Sequence, residues 1–198
     1  SLDGPLATYF GQSSLVLLSL MLICPALTMR TFAEERRTGT IETLMTAPVS
    51  PLAIVLGKYL AVLLTYVALW LPTLAFPWLL RGSGVVDWGV AASGYLGVVL
   101  LGAAYLSIGV LMSSLTRSQL VALLLTLSTL FALFLLGIVR YLVPGGAFAE
   151  VAAHLSAMVQ LEEMSRGVVD LRRLISSGTL IALPLYYTIK IVDAWRWA

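Results

Sequence analysis

The chain has 198 residues, 60% of them hydrophobic and only 11% charged, with a net charge of +2 and a mean hydropathy of +0.97. A soluble domain carries about 25% charged residues, so this composition excludes an ordinary soluble enzyme, and so small a charge excludes nucleic acid as a partner. A single cysteine, Cys24, excludes an intrachain disulfide and a thiolate metal site, and it reads as a small buried hydrophobe.

The chain starts at Ser1, and no basic stretch or cleavage site precedes the first apolar run, so that run is not a signal peptide. Five apolar runs follow in order: Ser14 to Met29, Leu52 to Leu80, Trp88 to Leu111, Gln119 to Val143 and Leu174 to Val192. About 20 helical residues cross the hydrocarbon core, and backbone amides in lipid must be satisfied within their own segment. The runs lack the apolar–polar alternation of barrel strands, so the expected fold is an all-α integral membrane protein with five transmembrane helices in this chain. Pro72 and Pro77 should kink or end the second span. Trp70, Trp78, Trp88, Trp195 and Trp197 lie near span ends and suit interfacial belts, although Trp70 reads equally as a packing residue.

Between the first two spans lies a charged insert. Glu34, Glu35, Arg36 and Arg37 are four consecutive charges. Gly39-Thr40 predicts a short helix start, with Thr40 as cap and Glu42 in the first turn. Ile41, Leu44 and Met45 share one apolar face, and Pro48 stops the helix. Ser50-Pro51 reads as an N-cap with proline at the first helical position of the second span. So short a helix is unstable alone, so packing must hold it; taken by spacing alone, it reads equally as a solvated loop.

Charge orients the spans. Arg30, Arg36, Arg37, Lys58, Arg117, Lys190 and Arg196 lie on the face of the insert; Arg81, Arg140, Arg166, Arg172 and Arg173 lie on the other. The bias places the insert and the C-terminus in the cytoplasm. An odd number of spans then puts Ser1 outside, which predicts a further span before it. On the outer face, Phe148, Val151, Ala152, Leu155, Met158 and Val159 recur at helical spacing beside Glu150, His154 and Gln160. The segment from about 144 to 170 therefore predicts a helix lying at or dipping into the outer interface.

The Glu34–Leu44 run, the Ala47-Pro48-Val49-Ser50 turn and the Gly57-Lys58 pair resemble the first cytoplasmic loop of permease subunits of type-2-class ABC exporters. Ser113 to Gln119 resembles the turn between that family's fourth and fifth spans. Arg166 to Arg172 resembles the segment before its last span, in the branch of gliding-motility and nitrous-oxide-reductase-maturation permeases. The family has six spans, so the resemblance implies that the first is missing here. It also implies that residues 34 to 46 are a coupling helix seated on a separate ABC-type ATPase subunit, through Glu34, Glu35, Arg36, Arg37, Thr40, Ile41, Glu42, Leu44 and Met45. Ile41, Leu44 and Met45 would bury in that partner, with the charges at the rim. ATP and Mg would sit on the ATPase, with no cofactor in this chain, and a second permease copy or homologue would complete the assembly in the cell membrane.

Other chemistries fail on spacing. A phosphate loop built on Gly57-Lys58 needs glycine where Leu52 stands and Ser or Thr where Tyr59 stands. His154 is the only histidine, which excludes a His-Glu-x-x-His zinc site. Arg81-Gly82-Ser83-Gly84 lacks the first glycine of an intramembrane serine-protease motif. The span interiors hold almost no ionisable residues, against a proton- or ion-coupled carrier. Ser93-x-x-x-Gly97 and Ala103-x-x-x-Ser107 offer small faces, read first as packing within one subunit and second as a dimer seam. The function expected is an ATPase-coupled permease subunit, not an enzyme itself. The alternatives are an ion-independent carrier or channel, and a non-transporting assembly factor driven by an ATPase.

Overall fold

The computed structural model describes residues 14–46, 48–79, 88–142, 160, 161, 164 and 171–195, and all its regular elements there are helical. Helix α1 spans Ser14–Thr28. The insert forms α2, Ala33–Thr38, and α3, Thr40–Thr46. Helix α4, Pro51–Trp70, runs into a 3-10 turn, Leu71–Leu74, and a short α5, Ala75–Leu79. Three long helices complete the bundle: α6, Trp88–Leu115; α7, Gln119–Leu142; and α8, Leu171–Ala194. Among the described residues, five stretches are long and apolar enough to cross a membrane.

Local chemistry sets the boundaries. Ser50 is extended, and its Oγ accepts from the Ala53 amide at 3.2 Å, with Pro51 at the first helical position as expected. Pro72 has no amide to donate, and the second span tightens into its 3-10 turn there before continuing as α5.

The core gathers around α6, which packs against α1, α4, α7 and α8. Every residue from Leu101 to Val110 is buried. A membrane offers no hydrophobic drive between helices, so small residues and hydrogen bonds must hold them together. Tyr66 on α4 lies against Gly102 of α6 so closely that a Cβ there would overlap the phenol ring. The Tyr66 hydroxyl donates to Val98 O at 2.9 Å, and that of Tyr59 donates to Ala103 O at 3.0 Å. Ser107 of α6 reaches Leu180 O on α8 at 3.1 Å. Ser93, Gly97, Ala103 and Ser107 are all buried, and Gly97 sits against Met164 of this chain. Cys24 is fully buried, as its setting in an apolar run suggested.

The helix expected at the outer interface, with His154, falls on residues 143–159 and others outside those described. Gln160, Leu161 and Met164 are described, and all three are buried. Gln160 donates from Nε2 to Ser177 Oγ on α8 at 2.8 Å. These three residues therefore pack into the bundle.

Candidate functional site

At one end of the bundle, three stretches meet: the insert after α1, the turn between α6 and α7, and the end of α8. The contact starts at Ser113, fully buried in the last turn of α6. Its Oγ accepts from the Phe32 and Ala33 amides, both at 3.1 Å, and donates to Met29 O at 3.2 Å. The first amides of a helix have no partner in their own helix. Phe32 carries no capping side chain, so α2 takes its cap from a serine about 80 positions away in sequence.

The next turn of α2 supplies a second clamp. Arg36 donates from Nη1 to Ser114 O at 2.8 Å, and its guanidinium lies 4.7 Å from the ring centre of Trp195. Phe32 meets the same ring edge-on at 5.9 Å. On the other side, Lys58 of α4 donates to Thr31 O at 2.9 Å and to Glu35 Oε1 at 2.5 Å, with its ammonium 5.1 Å from the centre of the Phe32 ring. The remaining α2 charges pair with each other: Arg37 and Glu34 meet at 2.7 Å, one turn apart.

These contacts divide the expected site residues into two groups. Glu35 and Arg36, expected as rim charges for a partner, are spent on this chain's own bundle. Arg37, Thr40 and Glu42 are exposed, as are Thr38 and Thr43. Ile41 and Leu44 are half-buried and pack in part against the chain's own core. Met45 belongs to α3, and its side chain lies outside those described.

The single helix expected over 34 to 46 is corrected to two. Gly39 has φ of +77°, the left-handed conformation that closes a helix C-terminus and that a side chain adopts only with strain. Thr40, expected as the cap of the second helix, instead turns its hydroxyl back to Thr38 Oγ1 at 3.0 Å and to Glu35 O at 3.5 Å. Glu42 does sit in the first turn of α3.

Sequence reasoning placed Ser113 and Ser114 in a turn, Lys58 beside a glycine, and Trp195 in an interfacial belt. It did not see that all four hold the insert. The available signal was the short polar run at the end of α6, where serines are poor choices for a lipid-facing helix end. The hydroxyls of Ser113 and Thr40 and the charges of Glu35, Arg36 and Lys58 are engaged by backbone or by each other. No cluster of three metal-ligating side chains occurs among the described residues.

The family model described as ABC-2 family transporter protein matches residues 5–159, more than half of the chain. No curated protein and no solved structure matches it.

Proposed function

The chain belongs to the ABC-2 transporter family, and from that premise we propose that it couples ATP hydrolysis on a separate ATPase subunit to movement of a substrate across the membrane. It is a multi-pass membrane component of a transporter. The observation that carries the coupling role is the anchorage of the insert. Helix α2 is capped by Ser113, clamped through Arg36 to Ser114 and Trp195, and tied through Glu35 to Lys58. A push on α2 therefore reaches α6, α4 and the end of α8 at once. A solvated loop needs none of these bonds.

On this reading the loop end faces the cytoplasm, and the exposed Arg37, Thr38, Glu42 and Thr43 meet the ATPase, with Ile41 and Leu44 supporting that surface from behind. ATP and Mg are held by the ATPase, and two permeases share two ATPases. Residues 166–170 of the run Arg166 to Arg172, on which the narrower gliding-motility and nitrous-oxide-reductase-maturation branch rests, lie outside the described residues, and that branch is part of the proposal. The test is cross-linking of a Glu42→Cys permease to a co-expressed ATPase, with ATPase stimulation measured in proteoliposomes. A cross-link that forms only with nucleotide cycling, together with stimulated hydrolysis, is the expected result. Stimulation without any contact at α3 would remove the coupling role from the insert.

A further inference from the structure

Helix α8 carries a proline in its interior, Pro184, and another helix makes good the hydrogen bond that Pro184 removes. Proline has no amide hydrogen, and its ring crowds the carbonyl four residues earlier. In α8 that carbonyl belongs to Leu180. It accepts instead from Ser107 Oγ of α6, at 3.1 Å. Ser107 and Pro184 are both buried, so no bulk water stands in for the serine.

The same hydroxyl lies 2.7 Å from Ala104 O in its own helix. A serine hydroxyl has one proton and rotates to suit its surroundings. The two acceptors differ in need. Ala104 O also has the amide of Ile108, one turn on in α6, whereas Leu180 O has lost its helical donor to Pro184. Turned toward α8, the proton closes the gap at Pro184. Turned toward Ala104, it leaves that gap open yet is itself still bonded. Thr188 weakens the joint further by returning its Oγ1 to Pro184 O at 2.8 Å, a back-bond that bends helices. The proline of α1, Pro25, is held differently: Thr28, nearly one turn on, lies so close to Gly109 of α6 that a Cβ there would overlap it. That joint is locked by shape, and the joint in α8 by one rotating hydroxyl.

The half of α8 beyond the joint leads to the insert. Trp195 stands about 16 Å past Pro184 along the helix. Its ring meets Arg36 and Phe32. A bend of about 10° at Pro184 therefore moves that ring by about 3 Å.

We propose that Pro184 is a hinge in α8 and that the Ser107 hydroxyl is its latch. With the proton on Leu180 O, both halves of α8 stand fixed on α6. With the proton on Ala104 O, the half ending at Trp195 swings with the insert. The use of that swing in transport rests on the coupling role proposed above. The hinge and its latch do not, and they are tested on the permease alone.

The test reads the bend inside α8. Spin labels at Ile175→Cys and Lys190→Cys, exposed positions on either side of the proline, are placed in a Cys24→Ala background. They stand about 22 Å apart along the helix, a separation that pulsed electron paramagnetic resonance resolves. In purified, detergent-solubilised permease, Ser107→Ala should broaden the distance distribution toward shorter values. It should also speed hydrogen exchange of the amides of residues 185 to 187, which bond across the proline, by roughly tenfold, as for a buried carbonyl left bare. Pro184→Ala gives Leu180 O an amide again and should slow that exchange below wild type. Added to Pro184→Ala, Ser107→Ala should then change neither reading. Wild-type distances and exchange in Ser107→Ala would overturn the latch. Equal broadening by Ser107→Ala with and without the proline would show a serine that only fills space, and would overturn it too. Pro184→Ala does not depend on the serine variant folding, and unslowed exchange in it would remove the hinge.

Discussion

Ser113→Ala isolates the anchorage of the insert from everything else in the bundle. The substitution removes one oxygen, fully buried, that accepts two backbone amides and donates to a third backbone group. A buried amide left without a partner costs about 1–3 kcal/mol, and a lost helix cap about 0.5–2 kcal/mol. The two amides of Phe32 and Ala33 share that single acceptor, and α2 can swing toward water to recover part of the loss. The expected net is therefore about 2–4 kcal/mol, confined to the insert. In an opening equilibrium this is a factor of roughly 30 to 1,000. Hydrogen exchange on the detergent-solubilised protein, read on peptides covering residues 30 to 46, should accelerate by that factor, with α6 itself unchanged. Ser114→Ala is the internal control. Its hydroxyl donates only to Leu111 O within the same helix, while Arg36 uses its backbone carbonyl, which alanine keeps. If the two variants exchange alike, the tertiary cap does not hold α2 and the force path described above is wrong.

Gly102→Ala should drive Tyr66 from its seat and cost about 1–3 kcal/mol as an overpacked core, or more if the bond to Val98 O is lost with it; thermal unfolding of purified protein measures this. Arg36→Lys keeps the charge and loses the planar group over Trp195, so it should loosen residues 31 to 38 by hydrogen exchange, whereas Arg37→Ala, on an exposed pair, should leave the exchange of those residues unchanged. Leu44→Asp places a charge against this chain's own core, so it should unseat α3 in the isolated permease, where limited proteolysis can be read without any partner; an unaltered cleavage pattern would return Leu44 to the partner-facing role. In intact cells of a Cys24→Ala background, Thr38→Cys should resist an impermeant maleimide while Ser83→Cys and Ser165→Cys label, and the reverse pattern would invert the topology.

The sequence alone determined the solvent of this protein, and with it most of the fold. Lipid requires each span to satisfy its own amides, so helices over the five apolar runs followed from composition, and their ends from local signals such as Ser50-Pro51 and Pro72. The insert was legible as charged, short and unable to stand alone. What held it was not legible. Ser113 and Phe32 are 81 positions apart, and nothing local tells a serine at a helix end whether it will cap another helix or bond its own. The same holds for the contact of Ile41 and Leu44 with the core: spacing shows that a face is apolar, and only the neighbours show what it touches. Gly39 is intermediate, since glycine signals a possible left-handed residue but the packing of α2 on one side and α3 on the other decided that it would be used. Local chemistry is written within a few residues and can be read there. Tertiary satisfaction of a buried donor depends on which distant atom arrives, and that is fixed only when the helices pack.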